Sequence, residues 1–224
     1  HLLPVQNKRS RDPGDSRQMV AARRRFLNAG FYQAIATATS EAVLADLPPR
    51  GTVSCLDAGC GEGYYLRQLA AANSDGQTLV LLGLDISKWA VLSAAKQDRR
   101  PNWIVGSNAN LPVQSGTLDW VLCLFGFPVY AEFNRVLKPD GQLLQLDAGP
   151  DHLRELREII YPSLKPERAT DVRDPQGFTS LSTETVHYPL QLLGPEPIAD
   201  LLAMTPHLYR ATAERRAQAA KLSA

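Results

Sequence analysis

The sequence predicts an α/β fold, a mostly parallel central sheet with helices on both faces. Three observations carry that expectation. Short apolar, β-branched runs alternate with amphipathic segments from Val53 to Asp147. Three of these runs close on an aspartate, at Asp57, Asp85 and Asp147. Between the first run and the segment after it, glycines alternate at Gly59, Gly61 and Gly63, as a sharp strand-to-helix turn beside a ligand requires.

In chain order, residues 1–15 lack periodicity, and Asp12-Pro13-Gly14 closes them with a turn. Asp15 or Ser16 can cap the helix that follows, whose apolar positions are Met19, Ala22, Phe26 and Leu27. Asn28-Ala29-Gly30 ends it, and a second amphipathic helix runs from about Phe31 to Leu47, stopped by Pro48-Pro49. Strands are expected at Val53–Asp57, Leu79–Asp85, Asn102–Gly106, Trp120–Phe125 and Gln142–Asp147. Helices are expected at Tyr64–Ala72, Lys88–Gln97, Tyr130–Val136 and Pro150–Tyr161. Lys138-Pro139-Asp140-Gly141 reads as a structural turn, and the proline-rich stretch Pro162–Ser180 as a mobile loop. Thr183–Leu192 is a candidate sixth strand, irregular or at an edge because of Pro189, and Ala211–Leu222 a final helix.

Composition bounds the function. The apolar share of 44% and charged share of 21% are those of an ordinary globular protein. No apolar run approaches the ~20 residues of a membrane span and no secretory signal pattern opens the chain, so a cytoplasmic protein without a membrane partner is expected. Cys55, Cys60 and Cys123 form no C-x-x-C pair and suggest no metal site, and Cys55 and Cys123 fall in expected buried strands, where core packing is their role. The net charge of +1 hides an asymmetry: residues 1–25 carry +5 and the remainder −4. Lys8, Arg9 and Arg11 of the arm, with Arg23, Arg24 and Arg25 of the first helix, are the candidate phosphate contacts. A solvated polar face is the plainer account of the same charges.

The chemistry-bearing positions follow the strand ends. Leu56-Asp57-Ala58-Gly59-Cys60-Gly61-Glu62-Gly63 departs from the dinucleotide pattern G-x-G-x-x-G, whose third glycine would stand where Tyr64 is. Asp85, in G-L-D-I-S-K, suits ribose hydroxyls because an ionised carboxylate only accepts hydrogen bonds. A helix-capping aspartate is the alternative there, a role Ser87 could equally take. Ser107 and Asn108 follow the third strand, where an adenine would lie.

With these motifs in place, the chain resembles the class I S-adenosylmethionine (SAM) methyltransferases, Rossmann-like in fold, and more narrowly the RlmA family. The narrower likeness rests on L-L-P-V-Q-N-K-R-S-R-D-P-G-D-S (residues 2–16), A-R-R-R-F-L-N-A-G-F-Y (22–32), the glycine motif, A-G-P-D-H-L (148–153) and M-T-P (204–206). It implies methyl transfer from SAM to N1 of a guanine in a hairpin loop of 23S ribosomal RNA. It further implies SAM contacts by Gly61, Glu62, Tyr32 and His152, beside Asp57, Gly59, Asp85, Ser107 and Asn108. No residue is singled out as catalytic; Asp147, at a strand end, is a candidate for the general base. A small-molecule methyltransferase and a non-catalytic SAM-binding RNA module stay open as alternatives, and so do monomer and homodimer. The family also carries zinc in an N-terminal module absent from this sequence, and a final strand that is likewise expected to be missing. The expected organisation is therefore a basic arm over residues 1–15, left after that module, and a methyltransferase domain over 16–224.

Overall fold

Five parallel strands form one sheet in the order β3-β2-β1-β4-β5, made by β1 (Gly51–Ala58), β2 (Gln77–Asp85), β3 (Asn102–Val105), β4 (Leu118–Leu124) and β5 (Leu137–Leu146). The computed structural model describes residues 13–45, 51–73, 77–161, 174–205 and 214. The helices are α1 (Arg17–Asn28), α2 (Gln33–Ala45), α3 (Tyr64–Ala72), α4 (Lys88–Gln97), α5 (Tyr130–Val136), α6 (Arg154–Ile160) and α7 (Pro195–Met204).

Alternation along the strands divides the core in two. Val53, Cys55, Leu81, Trp120 and Leu122 face one side and pack with Phe26, Ile35, Leu66, Leu69, Ile160 and Leu201 of the helices. Leu56, Ala58, Leu84, Val121 and Cys123 face the other, against Phe133 and Val136 of α5. A sheet covered on both faces is what the near-continuous apolar strands require. The chain runs outward from β1 to β3 and returns on the other side of β1 as β4, which puts the topological switch point between β1 and β4.

Local chemistry sets the element ends. Ser16 caps α1 by accepting from the Met19 N–H at 3.3 Å, and Ser87 caps α4 by accepting from the Ala90 N–H at 3.3 Å. Ser87 thus takes the capping role and leaves the Asp85 carboxylate at the sheet edge.

Two expectations are corrected. Lys138–Gly141 falls inside β5 rather than between elements, and it bulges there: Leu118 pairs with Leu137 and Trp120 with Gln142, so these four residues of β5 stand opposite the single Asp119 of β4. The segment Thr183–Leu192 forms no strand. Its alternate residues Tyr188, Leu190 and Leu192 pack against the helical side of the core instead, and the Tyr188 hydroxyl donates to the Phe31 carbonyl at 3.0 Å. Pro189 has no N–H to offer a ladder. The helix expected at Ala211–Leu222 and the loop over 162–173 lie outside the described residues, as do Lys8, Arg9 and Arg11. No helix among the described residues is long and apolar enough to cross a membrane.

Candidate active site

A cavity of about 780 Å³ opens above the carboxyl ends of the strands, where open parallel sheets bind ligands. Every cofactor-contact candidate read from the sequence lines it: Tyr32, Asp57, Gly59, Gly61, Glu62, Asp85, Ser107, Asn108 and His152.

The three glycines turn out to do different work. Gly59 (φ 103°) has open space where a side chain would stand, so a ligand can lie on its backbone. Gly61 (φ 55°) gives its N–H to Asp85 at 3.0 Å. Gly63 (φ 80°) is packed under an indole: a Cβ there would come within 2.4 Å of Trp103. The same ring covers Gly83 of β2, at 2.3 Å from the position of a Cβ.

Asp85 also accepts from the Ser87 N–H at 2.7 Å, so one carboxylate pins both the glycine turn and the entry to α4. Burial raises its pKa, while those two N–H groups oppose the rise. Glu62 lines the cavity and is also held from within. Its fully buried carboxylate is ion-paired with Arg67 at 3.1 Å and accepts from Gln97, so the side chain braces the turn internally.

Asp57 is the strongest sign of a ligand. It is 1% exposed, and neither carboxylate oxygen has a hydrogen-bond partner. Burial, with the charge of Asp85 adding to it, pushes its pKa up to about 8. The Tyr65 hydroxyl and Asn108 Oδ1, both lining the same cavity, are also buried without partners. Native interiors rarely leave such groups unpaired. These groups fit SAM: an unpaired carboxylate suits its cationic end, an amide oxygen the adenine amino group, and Asp85 the ribose hydroxyls.

The opposite wall is aromatic. Tyr32, Phe125 and His152 form a triangle with ring centroids 5.8–6.1 Å apart, and Tyr32 Oη lies 3.4 Å from His152 Nε2. Burial lowers the His152 pKa, and the nearby Arg157 charge lowers it further, which favours the neutral ring. Phe125 and Leu153 are the non-glycine residues with positive φ among those described, at 54° and 51°. Such a backbone costs roughly 1–2 kcal/mol.

Several lining residues were missed from sequence. Gly14 (φ 80°) and Asp15 dock the end of the arm on the lip, where a Cβ on Gly14 would meet Ile86 at 2.7 Å and the Asp15 carbonyl accepts from Ser87 Oγ at 2.6 Å. The turn Asp12-Pro13-Gly14 was legible, its docking partner was not. Tyr65, Phe125 and Phe127 also line the cavity; the aromatic-Gly-aromatic-Pro run Phe125–Pro128 after an apolar strand was the available signal for the last two.

The three arginines of α1 separate. Arg23 lines the cavity, ion-paired with Asp15 and donating to the Met204 carbonyl at 3.0 Å. Arg25 pairs with Asp200 of α7, Nε to Oδ2 at 2.9 Å. Arg24 is exposed. No group of three or more His, Cys, Asp or Glu able to hold a metal ion exists among the described residues.

Comparison with known proteins places the chain among methyltransferases. A methyltransferase domain family matches residues 55–141. A Bacillus subtilis protein provisionally named a 23S rRNA (guanine-N1)-methyltransferase is 30% identical over 88% of this chain and 72% of its own length. A similarly named Micromonospora griseorubida protein is 35% identical over 74% of this chain, which spans 59% of that relative. A malonyl-[acyl-carrier protein] O-methyltransferase of Laribacter hongkongensis is 31% identical over 60% of this chain and 54% of its own. Among solved structures, a protein of Methanococcus maripaludis described provisionally as a SAM-dependent methyltransferase superposes with a TM-score of 0.51, covering 68% of this chain and 81% of that one at 17% identity. That last likeness bears on the fold alone.

Proposed function

The chain belongs to the RlmA family of class I SAM-dependent methyltransferases, and from that premise we propose that it methylates N1 of a guanine in a hairpin loop of 23S ribosomal RNA. One observation supports a base over an anionic acyl substrate. Among the described residues the cationic side chain lining the cavity is Arg23, already ion-paired with Asp15, while the wall beyond the glycine turn is aromatic. A malonyl carboxylate would be left without a partner there, whereas a flat base would not.

Bound SAM supplies an electrophilic methyl carbon: its bond to the sulfonium sulfur breaks with the electron pair going to sulfur, the bond to guanine N1 forms, and N1 releases its proton. The chain's own residues prepare the rest. Asp57 meets the cationic end in its ionised form. Asp85 accepts from the ribose while holding the Gly61 N–H, Asn108 accepts from the adenine amino group, and Ser107 stands beside it. Neutral His152 and Tyr32 close the wall near the reacting centre. Asp147, exposed at the end of β5 and accepting from Gln145 at 2.6 Å, is the candidate acceptor of the N1 proton.

RNA phosphates fall to Lys8, Arg9 and Arg11 of the arm, with Arg24 and, less freely, Arg25 on α1. Arg23 serves the cavity instead. The test is to incubate the full-length protein with unmodified 23S rRNA and methyl-labelled SAM. N1-methylguanine blocks base pairing, so reverse transcription should stop at one loop guanine, and nucleoside mass spectrometry should identify the product. Transfer to small-molecule or acyl-carrier acceptors, with rRNA left unlabelled, would refute this reading.

A further inference from the structure

We propose that Phe125 and Phe127 form the acceptor subsite, an aromatic slot in which the target base stacks beside the cofactor end of the cavity. The inference rests on the RNA reading above and says which residues hold the base.

The cavity divides by chemistry along the strand order. The ends of β1, β2 and β3 contribute the polar set Asp57, Asp85 and Asn108, which SAM accounts for. The ends of β4 and β5 contribute Phe125, Phe127, Asp147 and His152, and no comparable set of buried, unpaired polar atoms. Of the rings on this side, Tyr32 is 4% exposed and serves as backing, whereas Phe125 is 39% and Phe127 90% exposed. A lone exposed aromatic is ordinary on a protein surface. Two in one cavity wall, one of them on a left-handed backbone, need more explanation.

That backbone is held in place. The Phe125 N–H donates to the Leu146 carbonyl at 2.8 Å, which ties the residue to β5 just where it leaves the β4 ladder. The second left-handed residue, Leu153, directly follows His152, so both such positions flank the same ring cluster. Backbone strain of this kind collects where a side chain must be presented in one orientation. Gly126 keeps the loop close to the sheet: a Cβ there would stand 3.2 Å from Cys123 Sγ and 3.6 Å from the Ala58 carbonyl. Pro128 then stiffens the far side of Phe127. Stacking on such rings accepts any base.

The experiment uses hairpin RNAs with 2-aminopurine at each loop position in turn, titrated with the full-length protein in the presence of S-adenosylhomocysteine. Stacking should quench the probe at one position. Phe127→Ala and Phe125→Leu should weaken that quenched complex roughly 5- to 100-fold, the loss of one base-on-ring stack. Phe127→Trp should restore it, and Phe127→Ala should keep its calorimetric affinity for S-adenosylhomocysteine within about twofold. No quenching at any position by the parent, equal quenching by Phe127→Ala, or a parallel loss of cofactor affinity would overturn the slot. The rRNA methylation assay stands apart from this: quenching without methylation of 23S rRNA would retain the slot and reject the rRNA reading.

Discussion

At the scale of single residues, carboxylates decide the site. Asp85→Ala removes the acceptor expected to hold the ribose and frees the Gly61 and Ser87 N–H groups as well. SAM affinity by calorimetry should fall by on the order of 1.5–3 kcal/mol; unchanged affinity would remove Asp85 from the site. Asp57 yields a pH effect. With its pKa raised to about 8, the folded protein keeps a proton that the unfolded chain has lost above the ordinary carboxylate pKa. Stability of the ligand-free protein should therefore decrease as pH rises from about 4 to about 8, by up to about 1.4 kcal/mol per pH unit for this group, and flatten above. Asp57→Asn should remove this group's share of the slope in denaturant titrations and leave the share from Asp85, whose pKa is also raised. SAM binding at pH 7 should release a proton, visible as a dependence of calorimetric heat on buffer ionisation enthalpy. Asp57 and Asp85 were legible because both close apolar strands. The internal pairing of Glu62 was not, since Arg67 meets it across the start of α3 and Gln97 is reached only through the fold.

At the scale of elements, α3, α4 and α5 begin and end where sequence periodicity and end signals put them. The error at Thr183–Leu192 has a physical source. Alternating apolar residues suit a strand or an extended segment lying on a helical layer, and only tertiary packing chooses between them. The glycine turn shows the same limit. Three glycines suggest one purpose, yet Gly63 is needed for packing under Trp103 from β3. Gly63→Ala should cost roughly 2–5 kcal/mol, from the left-handed backbone and the overlap with the indole. Pairing it with Trp103→Leu should recover the overlap part in chemical denaturation, and failure to recover any would mean the backbone alone sets the cost. Between α1 and α7, Arg25→Ala should cost under about 1 kcal/mol, because the Arg25 side chain is 59% exposed.

At the scale of the whole molecule, charge separates from chemistry: the basic surplus lies in residues 1–25 and the acidic remainder holds the sheet and its cavity. Replacing Lys8, Arg9 and Arg11 with alanine should leave SAM affinity intact and flatten the slope of log RNA affinity against log salt by roughly 2, at about 0.7 per contact for single strands. An unchanged slope at parental affinity would show that these charges only solvate the arm. Composition revealed this polarity, but not that Arg23 is withdrawn from it by Asp15 and Met204. Trp103 carries one more consequence, an optical one. Its indole lies against Gly63 and Gly83, with Nε1–H donating to the Asp98 carbonyl at 2.7 Å. The chromophore is thereby coupled to the turn that receives the cofactor. With Trp89 and Trp120 replaced by phenylalanine, its emission should shift or change in intensity as SAM binds, giving a label-free stopped-flow signal for arrival of the cofactor at the glycine turn.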